Sequence, residues 1–419
     1  MKLFIKKVKI IDPQSDYNNQ IINILIEDGI IKDLGTNIRS PENVKIIEIE
    51  NLHASPGFFD LKSNFRDPGY ETKEDIHSGS LAAQNGGFTG VLLMPTTNPS
   101  IDSKTQVSYI KNQSKNNLVD IYPAGSITKN NLGKELTEMY DMYCCGAKAF
   151  TDDTNSIQKS GILKLALEYN KQFDGLVINQ PNEKSLNNGG SINEGITSTK
   201  LGLKGIPSIS EELMIQRDLE LAEYTDSKIH VTCISTKNSV DIIRKAKAKG
   251  VKVTCDVSIN NLIFDDNYCH EFDTNYKVFP PLRTNSDILA LINGLNDGTI
   301  DAICSDHRPE DIEHKQSEFE NSEFGILGLQ TLFPAACSIK KLELEKIIEK
   351  ISIKPREILQ LEKIHISKNH VANICFYNPN EDWIFKENDV VSKSKNSPFI
   401  NKKLSTKVIG IINGLKTNL

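Results

Sequence analysis

Tryptophan occurs once in this chain of 419 residues, and aromatic residues make up only 7%. No stretch approaches the roughly 20 consecutive apolar residues that a membrane span requires, so no membrane association is expected. The opening residues Met1–Ile11, MKLFIKKVKII, alternate apolar side chains with lysines. They lack the continuous apolar core and small-residue cleavage site of a secretory signal. An excess of basic charge is also missing. The net charge is −6, which leaves no general means of neutralising phosphates and weighs against a nucleic-acid partner. The eight cysteines form no paired framework, and only Cys144 and Cys145 are adjacent. In a chain of this length that pattern reads as reduced thiols, and a cytoplasmic location is expected. Internal repeats and low-complexity segments are absent. Hydrophobic residues at 38% and charged residues at 25% are enough for a substantial core in one large or two ordinary domains.

The chain changes style twice. Its first fifty or so residues read as strands: Leu3–Ile11, Ile21–Ile26 and Val44–Ile49, with a turn at Asp28-Gly29 between Leu25-Ile26-Glu27 and Ile30-Ile31-Lys32. Pro56-Gly57 punctuates the first change. Short apolar strands then alternate with helices as far as about Leu361. The strands are Gly90–Met94, Asp120–Tyr122, Ala147–Phe150, Gly175–Ile178, Lys228–Val231, Val251–Thr254 and Ile300–Ile303. Among the helices are Glu211–Glu223 and Ser239–Gly250, the latter with Gly250 placed as a C-cap. Strand–helix alternation over some 300 residues predicts parallel βα units, closed into a barrel. The tail returns to strands at Ala372–Tyr377 and Lys407–Ile412, with a turn at Asn413-Gly414. The expected architecture is α/β, a (β/α)8 TIM barrel over 56–365. Beside it, residues 1–55 and 366–419 pair into a small β-sandwich domain formed by both termini.

In order along the chain, Pro56–Asp60, Phe65–Gly69, Gly86–Pro99, Ile234–Gly250, Lys277–Arg283 and Gly298–His307 form a set that resembles the dihydroorotases and related cyclic amidohydrolases. Pro56-Gly57-Phe58-Phe59-Asp60 and Phe65-Arg66-Asp67-Pro68-Gly69 resemble the opening barrel motif. Gly86–Pro99 looks like the second strand and its loop, and Ile234-Ser235-Thr236 through Gly250 like the segment around the sixth-strand ligand. Lys277–Arg283 is similar to a substrate-side loop. Gly298–Ile303 with Ser305-Asp306-His307 is similar to the eighth strand and its end, and Ser392–Phe399 also fits. The resemblance implies the amidohydrolase TIM barrel and the reversible cyclisation of carbamoyl aspartate to dihydroorotate in pyrimidine synthesis. In active members, zinc activates a hydroxide and polarises the ring carbonyl.

Against that pattern, the metal-binding histidines are missing. The resemblance places the His-x-His pair at Lys62 and Asn64, and a sixth-strand ligand at Cys233. After the fourth strand, where a further histidine is usual, stands Ile178-Asn179-Gln180-Pro181-Asn182. Asn260 and Asn261 replace a later pair, and Asp-His-Ala-Pro-His becomes Asp306-His307-Arg308-Pro309-Glu310. An ammonium repels a metal cation and an amide oxygen is a weak zinc ligand, so no metal cofactor is expected. If one is held, Asp152, Asp153, Cys233 and Asp306 are the candidate ligands, with zinc as the cofactor. Cys233 reads otherwise as a buried inert thiol. Asp306 matches the catalytic aspartate, which shuttles a proton in an active member; otherwise it is expected in an ion pair with Lys62 or Arg308. Arg66 matches the arginine that grips the substrate carboxylate, or it forms an ion pair with Asp67 or Asp75. Asn98 lies beside the substrate-binding loop, while Thr96 takes the usual asparagine position. His230 and His307 read as hydrogen-bonded core residues.

Three functions follow. The first is a homologue with little or no catalysis, retained as a structural partner of aspartate transcarbamoylase. The second is an active dihydroorotase with an atypical metal site. The third is a sensor that binds dihydroorotate or carbamoyl aspartate through Arg66. The resemblance also makes a homodimer plausible.

Overall fold

A computed structural model describes residues 1–419. Eight parallel strands form its centre: Phe58–Ser63, Phe88–Leu93, Asp120–Gly125, Ala149–Phe150, Val177–Asn179, Ile229–Val231, Val253–Ser258 and Ala302–Cys304. They pair in sequence order from the first to the eighth. The seam between the eighth and the first is closed by a parallel bridge between Ser63 and His307, with Asn64 N donating to His307 O at 2.8 Å. Asp60 crosses the same seam: its carboxylate accepts from the Ser305 amide and the Ser305 hydroxyl, both at 2.7 Å.

Alternation along the strands sorts their side chains into two sets. Phe58, Val91, Leu93, Ile121, Phe150, Val177 and Ile303 join the core shared with the helices. Phe59, Leu61, Leu92, Met94, Ala124, Ala149, Ile178, Ala302 and Cys304 pack with one another as the filling of the barrel. This filling makes the barrel a solid core whose chemistry is confined to its ends.

The helices start where the sequence offers a cap. Thr236 accepts from Ser239 N at the head of Lys237–Ala248, and Gly250 follows its end at φ +87°. Asp75 caps Ile76–Asn85 together with Ser78. The helix expected over Glu211–Glu223 runs from Ile209 to Thr225.

Both termini supply one further sheet of eight strands. From the N-terminal side come Lys2–Ile10, Ile21–Glu27, Ile30–Gly35, Lys45–Glu48 and His53–Pro56. From the other end come Asn373–Asn378, Lys407–Asn413 and Lys416–Thr417. His53–Pro56 is the junction, lying parallel to Lys2–Ile10 and antiparallel to Asn373–Asn378. Asp28 and Gly29, at φ 49° and 75°, form the tight turn between the second and third of these strands. Such a pair of left-handed residues matches the twist of a two-residue hairpin. Residues 379–406 leave this sheet: Phe385, Val390, Phe399 and Leu404 are buried in the core that the barrel strands share with the helices. No helix is long and apolar enough to cross a membrane.

Candidate functional site at the C-terminal end of the barrel

The strand ends deliver polar residues to one face of the barrel, the face that carries the chemistry in this architecture. Lys62 comes from the end of the first strand, Asn64 and Arg66 from just beyond it, and Thr96 from beyond the second. Asp153 follows the fourth strand, Gln180 the fifth, Cys233 the sixth, Asn260 the seventh and Asp306 the eighth. The stretch 178–182 thus closes the fifth strand, one later than its place in the sequence reading.

Lys62 is at the centre, only 1% exposed. Its ammonium donates to Gln180 Oε1 at 2.6 Å and lies 3.3 Å from Asp306 Oδ1. Asp153 Oδ1 is 3.7 Å away and Cys233 Sγ 3.6 Å. Gln180 is oriented for this by donating through Nε2 to Phe279 O at 3.2 Å. Burial opposes the charge on Lys62, but Asp306, then Cys233 and Asp153, reverse that effect and hold the ammonium well above the ordinary lysine value. Burial pushes the Asp306 carboxyl up to about 6; Lys62 pulls it down and Asp153 pushes it up. Asp306 therefore has Lys62 as its ion-pair partner.

The backbone turns to make this convergence possible. Arg66, Asp153, Cys233 and Asp306 have φ of 61°, 52°, 54° and 47°. The left-handed region costs an L-residue roughly 1–2 kcal/mol, and such residues gather at functional sites. On the rim, Thr96 Oγ1 lies 2.8 Å from Asn64 Oδ1 and 2.7 Å from Asp153 Oδ2. Asn64 Nδ2, Asp153 Oδ1 and Asn260 Oδ1 are buried without a hydrogen-bond partner. Asn261 donates to Pro281 O at 2.9 Å and so holds the Lys277–Arg283 segment.

Arg66 is committed within the protein. Its guanidinium pairs with Glu310 and donates through Nε to Pro309 O at 3.2 Å. Lys73 reaches the second Glu310 oxygen at 2.5 Å. Asp67 and Asp75, the partners considered from sequence, are occupied elsewhere. Asp67 accepts from Tyr109 at 2.9 Å, and Asp75 caps its helix and pairs with Lys393 at 2.5 Å. Asn98 is exposed, and its backbone N–H donates to Pro68 O at 2.9 Å.

The four candidate metal ligands do not form one group. Asp153, Cys233 and Asp306 share Lys62, whereas Asp152 accepts from the Thr128 amide at 2.9 Å and from the Thr128 hydroxyl. Burial raises the Asp152 carboxyl to about 6, against the lowering effect of those bonds. The donors close enough together to share an ion are Cys233, Asp256 and Cys304, all buried. The two sulfurs are 3.5 Å apart. Asp256 already accepts from His230 Nε2 at 3.0 Å, the Thr232 hydroxyl and the Cys233 amide at 2.6 Å. Burial raises the Cys233 thiol and drives the Cys304 thiol well above its ordinary value. His307 is buried, its Nδ1 accepting from Gly328 N at 3.2 Å. Asp256 had no distinguishing signal in sequence, and Gln180 and Glu310 stood in segments picked out by the resemblance without a partner being legible, because their roles depend on which strand ends lie opposite one another.

Comparison with known proteins gives a consistent picture. The family model described as "Dihydro-orotase-like" matches residues 54–239. A dihydroorotase of Geotalea daltonii is 39% identical over 97% of this chain and 96% of its own length. One from Acetivibrio thermocellus is 41% identical over 98% of each. Among solved structures, an L-hydantoinase (dihydropyrimidinase) from Arthrobacter aurescens superposes with a TM-score of 0.85 at 20% identity, covering 99% of this chain and 95% of that one. At that identity the likeness concerns the fold.

Proposed function

Because this chain belongs to the dihydroorotase family, we propose that it serves de novo pyrimidine biosynthesis as a member with little or no catalysis, acting as a structural partner of aspartate transcarbamoylase. One observation carries the reading: a buried lysine ammonium stands among the residues that a catalytic metal would need. Cyclic amide hydrolysis requires a nucleophile at neutral pH. A zinc-bound water supplies one with a pKa near about 7, against about 15.7 for bulk water. Here the donor set does not fit zinc. An incoming dication would meet Lys62 within 4 Å of Asp306, Asp153 and Cys233. The alternative trio offers two thiols held protonated by burial and a carboxylate already engaged by His230. Asp306, near pKa 6, is able to accept a proton, but no group in the site activates the water it would serve. Arg66, bound to Glu310, is not free to grip a substrate carboxylate. That weakens the sensor reading as well.

The second reading, an active dihydroorotase with an atypical metal site, draws on the closeness of Cys233, Asp256 and Cys304. Metal content and dihydroorotate hydrolysis of the purified protein, with and without added zinc, separate the two. Less than about 0.1 metal per chain, no turnover and co-purification with the transcarbamoylase of the same genome are expected. One metal per chain with turnover makes the protein an enzyme. No co-purification removes the partnership.

A further inference from the structure

We infer that Lys62 is a tethered replacement for a metal ion: the cation around which the end of the barrel is organised belongs to the chain itself. Oxygen or sulfur atoms from four separate strand ends converge on one nitrogen, Gln180 Oε1 at 2.6 Å, Asp306 Oδ1 at 3.3 Å, Cys233 Sγ at 3.6 Å and Asp153 Oδ1 at 3.7 Å. Three of these four residues, Asp153, Cys233 and Asp306, hold left-handed backbone conformations to point there. Two buried carboxylates facing each other repel, and a buried charge persists only when paired. Asp153 Oδ1 has no hydrogen-bond donor of its own, so the ammonium is what compensates it.

A compact, always available cation thus takes the electrostatic part of a metal's work, gathering the strand ends. The Lewis-acid part is absent, because an ammonium has no open coordination position. The site is assembled whatever the metal supply. It also defines a ligand class: with the amine removed, the cavity should accept a small cation, and a primary ammonium of the missing length fits it. Propylammonium replaces the atoms from Cγ to Nζ that Lys62→Ala deletes. The inference concerns charge inside the barrel and is independent of any partner protein.

Thermal unfolding of the full-length protein at neutral pH tests it. Wild type should be indifferent to EDTA. Lys62→Met, nearly equal in volume but neutral, should unfold roughly 3–6 °C lower, as expected when one member of a buried charge group is removed from a chain of this length. Neutralising its partners in Lys62→Met/Asp153→Asn/Asp306→Asn should recover most of that loss. Propylammonium should raise the Tm of Lys62→Ala saturably, and 1-propanol, equal in size and uncharged, should not. The inference is overturned if Lys62→Met is as stable as wild type, if the triple variant recovers nothing, or if propanol and propylammonium act alike. The Lys62→Met pair of measurements decides the matter even if Lys62→Ala does not fold. Co-purification with the transcarbamoylase has no bearing on these outcomes.

Discussion

At the scale of single residues, a buried carboxyl is held protonated or paired according to what faces it. Asp153 and Asp306 face Lys62; their neighbour Asp152 is instead hydrogen-bonded by Thr128, with no ion-pair partner in contact. Burial lifts Asp152 to about 6, while an unfolded aspartate titrates near 3.9. The folded state therefore binds this proton more tightly. Its contribution is complete below about pH 4 and is lost as pH rises through about 6. A gap of about two units corresponds to about 3 kcal/mol. Asp152→Asn, neutral throughout, should match or exceed wild-type stability at pH 8 and lose that advantage by pH 4. Calorimetric Tm across this range reads it, and a difference that does not change with pH would refute the assignment. The pairing of Asp306 with Lys62 was among the alternatives legible in sequence. Glu310 as the partner of Arg66 was not, since 244 residues separate them and only the closing of the barrel brings them together.

Among the elements, the two terminal hairpins interlock. Gly29 lies at φ +75°, and a Cβ there would come within 2.7 Å of the Gly414 carbonyl carbon. Gly250, at φ +87° past the end of Lys237–Ala248, has nothing within 4 Å of the same position. Alanine at Gly250 should therefore cost only the left-handed penalty, roughly 1–2 kcal/mol. Alanine at Gly29 should cost more, because backbone of the second hairpin must also shift. Chemical denaturation of the two variants compares them, and equal losses would mean that the hairpins do not bear on each other. Both turns were visible in sequence as Asp28-Gly29 and Asn413-Gly414; their contact was not. The strand and helix positions were also legible, because apolar periodicity and caps are local. Their limits moved by a few residues where hydrogen bonding to a neighbouring strand set the end, as in Val253–Ser258.

For the whole molecule, the last 54 residues serve two bodies at once. Asn373–Asn378 completes the terminal sheet against His53–Pro56, while Phe385, Val390 and Phe399 are buried in the core that the barrel strands share with the helices. Deleting residues 366–419 should thus leave a chain without cooperative unfolding or soluble expression, checked by circular dichroism during heating. A soluble, cooperatively melting fragment 1–365 would show that the barrel stands alone. The fully buried Ile374 and Phe376, each worth roughly 1.5–3 kcal/mol when removed from water, argue for loss.

The sequence by itself determined the architecture and the identities Lys62, Asn64 and Cys233 at the strand ends, because periodicity, turn chemistry and residue identity are written along the chain. Only the tertiary structure decided what these residues face. Eight strand ends had to meet before Lys62 could be seen as the shared cation of Asp153, Asp306, Gln180 and Cys233, and before Arg66 could be seen bound to Glu310. Electrostatic partnership depends on distance in space and on burial, and neither is encoded in sequence separation.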